Sequence, residues 1–362
     1  MVPRKDKRMG EKGIAIIGRT ADGCELLDGQ TVKTKVLRDE LQRSYPGRRV
    51  VCVDTFQYKK HAISILWKTI RAFCTCGDIF VLLSKNGRAI FIPFLTGLNR
   101  LFRRRMYHDV IGASMPQELA GNQRLIACMN RFRCTWVETP ALRDALCALG
   151  VERVEVLPNF KRLQILSARE LPDAQGDVPV FVTFSRIAQH KGIDLAVAAM
   201  KKLNEGAARP RAILHIYGQV EPDYREEFAK ILADAGENVV FKGSVPYARS
   251  VQELQSAYML LFPSTYPGEG LPGTLIDAFS AGLPVITNDW HYNSDLVSDG
   301  ETGYVYRWQK PEMLAERMAH ALAHPEEVAR MRLRCLQEAR KYTPEANMPQ
   351  ILRAMTADAE VG

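Results

Sequence analysis

Apolar positions in this chain alternate between two patterns. Short continuous runs read as buried strands: "GIAIIGR" (13–19), "RRVVCVDT", "DIFVLLS" (78–84) and "MYHDVIGAS" (106–114). Between them lie stretches of helical spacing, such as "TVKTKVLRDELQRSY" (31–45) with Val32, Val36, Leu37 and Leu41. "TWVETP" and "VERVEVLPNF" supply further short strands around the helix "ALRDALCALG". After the polar, irregular segment "SARELPDAQGDVP" (167–179) a second series begins: "VPVFVTFSRI", "GIDLAVAAMKKLNE", "RAILHIYGQ", "EPDYREEFAKILADAG" and later "LPVITND". Strands alternating with helices predict open parallel sheets with helices on both faces. We divide the chain at 1–166, 167–345 and 346–362, with the last piece a terminal helix. The predicted fold is α/β: two doubly wound, Rossmann-like domains facing each other across a cleft. In such sheets ligands bind beyond the carboxyl ends of the strands.

Composition narrows the class. A chain of 362 residues, 46% hydrophobic and 25% charged, is that of a globular protein. "MVPRKDKRMGEKG" has no apolar run behind it to make a signal peptide. The longest apolar stretch, "AIFIPFLTGLNRLF" (89–102), is too short to span a membrane and is broken by Pro93, Gly97, Asn99 and Arg100. The eight scattered cysteines fit free thiols in a reducing compartment, and the expected location is the cytoplasm. Charge is divided unevenly. Residues 1–160 hold 27 basic against 15 acidic side chains, and the remainder 22 against 26. The densest basic cluster, Arg100, Arg103, Arg104 and Arg105, suits an anionic partner, phosphate or a lipid surface, or else a solvated face.

Chemistry concentrates in the second half, at strand ends. In "FSRIAQHKGIDLAVAAM" Arg186 follows a strand and Lys191 precedes a helix, a placement that suits a diphosphate. Gly218 in "HIYGQV" ends another strand and exposes backbone amides. In "PGEGLPGTLIDAFSAGLPVITNDW" (267–290) the glycines, Gly270 and Gly273 among them, let backbone approach a ligand across the turn Gly270-Leu271-Pro272-Gly273-Thr274. Thr274 is placed as a cap or first-turn residue. Asp277, one turn into the helix, could simply complement the helix dipole. Glu269, inside a glycine-rich loop, has no such explanation.

The spacing Glu269-x7-Asp277, the surrounding "EGLPGTLIDAFSAGLPVI", "FSRI" with "KGIDLAVAA" after it, and "SDGETGYVY" (298–306) together resemble retaining glycosyltransferases of the GT-B fold, family 4. The resemblance runs over nearly the whole chain and is most specific from 184 to 306. It implies that Glu269 lies near the donor sugar, Asp277 at the ribose, and Arg186 and Lys191 at the departing diphosphate. It places Gly29, Gln30 and Thr31 in an N-terminal loop approaching the phosphates and acceptor. It also implies that the terminal helix "TPEANMPQILRAM" packs back on the first domain. Two features depart from the family. The second acid is Asp, one methylene short of the usual Glu. The strand end where many relatives carry a catalytic His is here Ile111-Gly112-Ala113, which leaves His108 inside the strand as a satisfied core residue.

None of the 18 aspartates lies two positions from another, so no D-x-D motif is present, and no metal is expected. The reading is a hexosyltransferase acting without a cofactor on a nucleotide sugar, UDP-linked by preference, in cell-surface polysaccharide synthesis. Its acceptor would be a glycan or a lipid-diphosphate-linked glycan. The stretch 89–105 would rest on the inner face of the membrane, with nucleic acid excluded as a partner. A sugar-nucleotide epimerase and a catalytically inactive nucleotide-sugar-binding protein are the rival readings.

Overall fold

The computed structural model describes residues 12–23, 29–171 and 178–357. The basic N-terminus and positions 172–177 of the boundary segment lie outside them. The chain divides into two compact units. One comprises residues up to Lys161 together with those from Pro344 onward, the other Arg162–Thr343.

In the first unit six parallel strands, β1 (Gly13–Gly18), β2 (Val50–Asp54), β3 (Cys76–Leu82), β4 (Arg105–Asp109), β5 (Cys134–Val137) and β6 (Val154–Val156), lie in the order β2-β1-β3-β4-β5-β6. Three helices follow the first three strands: α1 (Gly29–Ser44), α2 (Tyr58–Thr75) and α3 (Lys85–Phe102). Strands covered on both faces read as unbroken apolar runs, and Ile14 to Ile17 of β1 are all fully buried. One face carries a ladder of rings across β3, β4 and β5. Phe80 stacks on Tyr107 at 4.8 Å and Tyr107 on Trp136 at 5.6 Å. Leu37 and Leu41 of α1 and Met348, Ile351 and Met355 of the helix Pro344–Thr356 join the same core. Each such fully buried side chain contributes roughly 1.5–3 kcal/mol.

Asp78, fully buried at the start of β3, organises the other end of the sheet. It receives Arg48 at 2.5 Å and Arg105 at 2.7 Å. Arg105 also donates to the Met355 carbonyl at 2.9 Å, meeting one of the carbonyls that every helix leaves open at its C-terminal end. Arg104 donates to the Phe73 carbonyl at 2.7 Å. Both arginines are therefore committed inside the unit. Of the basic cluster, only Arg100 and Arg103 stand exposed.

In the second unit β7 (Val180–Phe184), β8 (Ile213–Tyr217), β9 (Val239–Gly243), β10 (Met259–Phe262), β11 (Val285–Asn288) and β12 (Gly303–Tyr306) form a parallel sheet in the order β12-β11-β10-β7-β8-β9. Ile193, Val197 and Met200 of the helix Ile193–Asn204 cover one face, with Leu314 and Met318. Leu275, Ile276 and Phe279 of the helix Gly273–Ser280 cover the other, with Cys335 and Leu336. The two units share the doubly wound plan of the GT-B fold.

The strand carrying His108 is shorter than its apolar run suggested. It stops at Asp109, and Gly112 then turns the chain at a φ of 73°. His108 thus sits one residue from the carboxyl end of β4. It is not a satisfied core residue either. The ring is fully buried 5.3 Å from Phe132, and neither nitrogen meets a hydrogen-bond partner among the described residues. Burial, helped by the nearby charges of Arg88 and Lys33, pushes its pKa down to about 3. The folded state therefore holds a neutral ring. The unfolded chain takes up a proton below its ordinary value, so the stability due to His108 is present above that value and lost as pH falls toward about 3. A neighbour acts in the opposite sense. Burial raises Asp109 to about 6, so its contribution grows as pH falls through that range. The informative quantity is therefore the difference between wild type and His108→Leu. Urea unfolding should show that difference shifting in the variant's favour by about 2–3 kcal/mol between about pH 7.5 and about pH 4.5. A difference independent of pH contradicts the buried neutral imidazole.

Candidate functional site

In the second sheet the winding reverses at β7, which has β8 on one side and β10 on the other. At such a reversal point, beyond the carboxyl edge of the strands, ligands of open α/β sheets bind. Arg186 and Lys191 both lie on the loop after β7, and Glu269 lies on the loop after β10.

Two glycines set the path of these loops. Gly218, at φ 151°, allows the loops after β7 and β8 to meet, because a Cβ there would lie 1.8 Å from the Ser185 carbonyl oxygen. The loops then exchange Ile187 N–H to Gln219 O at 2.9 Å and Glu221 N–H to Ile187 O at 3.0 Å. This brings the Arg186 guanidinium onto the Glu221 carboxylate. The glycine expected to face a ligand is thus required by loop packing. Gly192, at φ 71°, has the same role against the loop after β10, where a Cβ would lie 2.5 Å from the Pro263 carbonyl. Thr265 N–H then bonds His190 O at 2.8 Å, and Lys191 is delivered to Glu269.

The pairing is tight. Lys191 Nζ lies 2.5 Å from Glu269 Oε2, with side chains 8% and 11% exposed. Ser264 Oγ donates to the same carboxylate oxygen at 2.7 Å, and the Tyr266 ring sits 4.9 Å from the ammonium. Asn293 Nδ2 donates to the Ser264 carbonyl at 3.1 Å and ties the serine to the loop after β11. Beside the pair is a cavity of about 230 Å³, lined by Arg186, Gln189, His190, Lys191, Glu221 and Tyr266 among others. That is smaller than the roughly 300–1,000 Å³ of a whole small-molecule site. Both cations at its wall, Arg186 and Lys191, are matched by carboxylates.

The two acids of the spacing motif are held by different serine hydroxyls, Glu269 by Ser264 and Asp277 by Ser250. Asp277 is 4% exposed, and its Oδ1 accepts from the buried Ser250 hydroxyl at 2.9 Å. The turn before it is also inward: Gly270, Leu271 and Pro272 are buried, and Leu271 belongs to the apolar core. Gly273 opens the helix with Pro272 as its N-cap, so Thr274 is a first-turn residue and caps nothing. The Thr274 hydroxyl is buried without a hydrogen-bond partner among the described residues, beside first-turn amides that a helix leaves open. In the first unit Gly29 is exposed at the start of α1, but Gln30 and Thr31 are buried. Gln30 Nε2 donates to the Leu82 carbonyl at 2.9 Å, so its side chain fastens α1 to the end of β3.

At the carboxyl edge of that first sheet a charged cluster went unnoticed in the sequence, because its members lie far apart along the chain. Lys33 of α1 reaches Asp109 at the end of β4 at 2.7 Å and Glu138 just after β5 at 3.0 Å, and all three are buried. Burial pulls the lysine pKa down, but the two carboxylates outweigh it and leave the value above that of an ordinary lysine. Among the described residues, no group of three His, Cys, Asp or Glu side chains is placed to hold a metal ion.

Comparison with known proteins gives consistent results. Residues 167–342 match the family model described as glycosyl transferases group 1. The chain is 25% identical over 295 residues to the GDP-mannose-dependent alpha-(1-6)-phosphatidylinositol monomannoside mannosyltransferase of Mycolicibacterium smegmatis, covering 68% of this chain and 76% of that protein. It is 30% identical over 165 residues to the poly(glycerol-phosphate) alpha-glucosyltransferase of Bacillus subtilis, covering 45% of this chain and only 23% of that one. Among solved structures, Anabaena HepE in complex with UDP superposes with a TM-score of 0.75 at 15% identity, over 95% of this chain and all of that one. The sucrose-phosphate synthase of Thermosynechococcus elongatus gives 0.73 at 19% identity, over 96% and 100%.

The buried Lys33 cluster provides a direct check on the first unit. Removing one partner of a buried ion pair costs about 3–5 kcal/mol, because the other is left charged and unpaired. Lys33→Met should lower the stability read by urea unfolding at neutral pH by that amount, and adding Asp109→Asn should restore part of it. A loss in Lys33→Met within about 0.5 kcal/mol, as for an unremarkable surface change, contradicts the assignment.

Proposed function

We propose that the protein is a retaining glycosyltransferase, on the premise that residues 167–342 match the group 1 glycosyl transferase family model. It moves a hexose from a nucleotide sugar, UDP-linked by preference, to a hydroxyl of a glycan or lipid-linked glycan in cell-surface polysaccharide synthesis. The observation that carries the reading is the Lys191–Glu269 pair at the reversal point of the second sheet, with Arg186 at the mouth of the adjoining cavity.

In this account the diphosphate draws Arg186 from Glu221 and shares Lys191 with Glu269. No resident metal is called on, since the two cations meet the charge that develops on the leaving group. The bond from the anomeric carbon to the β-phosphate oxygen breaks, and its electron pair goes to the diphosphate. The acceptor hydroxyl forms the new bond on the same face and passes its proton to a β-phosphate oxygen. Glu269, fixed by Ser264, is assigned to the donor sugar. The unpartnered Thr274 hydroxyl and the neighbouring helix amides are assigned to the phosphates. For Asp277, buried against Ser250, we propose a positioning role for the helix Gly273–Ser280 in place of a direct ribose contact.

Preorganised charge of this kind is worth about 10²–10³ in turnover per donor. Arg186→Ala and Lys191→Ala should each lower kcat for nucleoside diphosphate release by that factor, with circular dichroism unchanged. Arg186→Ala is the cleaner of the two, because Lys191→Ala also strands a buried Glu269. Losses below about tenfold at both positions contradict the assignment. Product analysis separates the rivals: a new glycoside supports transfer, whereas an isomerised donor or an unchanged mixture overturns it.

A further inference from the structure

Helix α2 has two apolar stripes. Ile65, Thr69, Ala72 and Phe73 are buried against the first unit. Ile63, Leu66, Trp67 and Ile70, at spacing i, i+3, i+4 and i+7, form the opposite stripe, and they are 85%, 44%, 60% and 39% exposed. Four large apolar side chains in register on one solvent-facing helix are not the scattered singles that any surface carries. Two further exposed residues, Ile90 (69%) and Leu101 (81%), lie on α3. The ends of α2 and α3 are joined by Phe73 against Phe102, with ring centroids 5.9 Å apart, and by the Arg104 bond to the Phe73 carbonyl.

Charge identifies the occupant. Between Thr55 and His108 the only acidic residue is Asp78, which is fully buried beneath Arg48 and Arg105. Lys59, Lys60, Lys68 and Arg71 flank the exposed stripe of α2, and Arg100 and Arg103 are exposed at the end of α3. The Arg71 guanidinium lies 5.4 Å from the Trp67 ring, a cation against an aromatic at the border of the apolar stripe. A helix with an apolar face bearing Trp, a purely basic polar flank and no acid is built to lie in the plane of a negatively charged bilayer surface. A second copy of the chain fits poorly. A two-fold contact through this face would set the basic flank of Lys60, Lys68 and Arg71 against an identical basic flank, with no acid on the helix to meet it.

We propose that α2 is the membrane-docking surface of this protein, seated on anionic lipid by Ile63, Leu66, Trp67 and Ile70 and held there by Lys60, Lys68 and Arg71. The surface inferred from sequence, the stretch 89–105 with Arg100, Arg103, Arg104 and Arg105, is here extended to α2, because Arg104 and Arg105 are engaged inside the unit. The inference rests on the proposed transferase reading for what docking would serve, access to a lipid-linked acceptor, but its test does not depend on catalysis.

Flotation of the full chain should show binding to vesicles of phosphatidylcholine with phosphatidylglycerol and little binding to phosphatidylcholine alone. Ile63→Ser with Trp67→Ser, and separately Lys68→Glu with Arg71→Glu, should each lower the partition coefficient about tenfold or more. Leu333→Ser, which removes an exposed leucine of the second unit, should not. Nucleotide binding by calorimetry, measured on the same preparations, should be unchanged in all variants. This verifies folding and keeps a failed transferase reading distinct from a failed docking surface. The proposal is overturned if wild type does not float with anionic vesicles, or if both double variants float as well as wild type. It is also overturned if sedimentation shows wild type self-associating through a face that Ile63→Ser with Trp67→Ser abolishes.

Discussion

The second unit is arranged around one electrostatic constraint: a lysine and a glutamate, both about nine-tenths buried, that must stay together. Withdrawing each ion from water costs several kcal/mol, and only close contact with further hydrogen bonds offsets it. Ser264 supplies a second donor to Glu269, and the Tyr266 ring lies against Lys191. The backbone around them bends to permit this contact. His190 and Gly192 both take positive φ so that the loop after β7 can close on Pro263 and Thr265 of the loop after β10.

The consequence is a site whose positive groups are balanced before any ligand arrives. Arg186 has Glu221 and Lys191 has Glu269. An anion entering the cavity competes with carboxylates for the same donors, which favours ligands carrying more than one negative charge. The first unit shows the same economy with the opposite sign. There Lys33 serves two carboxylates at the carboxyl edge of its sheet, and burial raises Asp109 to about 6. The family match covers residues 167–342, so the chemistry of the first unit is read from its own side chains.

Much of this was legible in the linear pattern, and the exceptions have physical causes. The inner strands of both sheets announce themselves as apolar runs because they are buried on both faces. The chemistry of the second unit is compressed into loops where Arg186, Lys191 and Glu269 each follow a strand. Helix α2 was missed because apolar residues on two opposite sides blur the 3.6-residue period. Helix α3 carries Pro93 and Gly97, which read as breaks, yet it continues through both. Gln30 looked like a ligand-loop residue, and only the Leu82 carbonyl shows that its amide faces inward. The cluster of Lys33, Asp109 and Glu138 left no signal at all, since its members are brought together by sheet order rather than by spacing.

The central claim is that the crevice beside Lys191 and Arg186 takes a nucleoside diphosphate. Calorimetry with UDP, GDP, ADP and dTDP tests it most directly, on wild type and on Arg186→Ala. The account predicts micromolar binding of one nucleotide, UDP by preference, weakened about tenfold or more by the substitution, in keeping with the loss of a charge-assisted contact. Binding of none of the four, or binding that Arg186→Ala leaves unchanged, would contradict it.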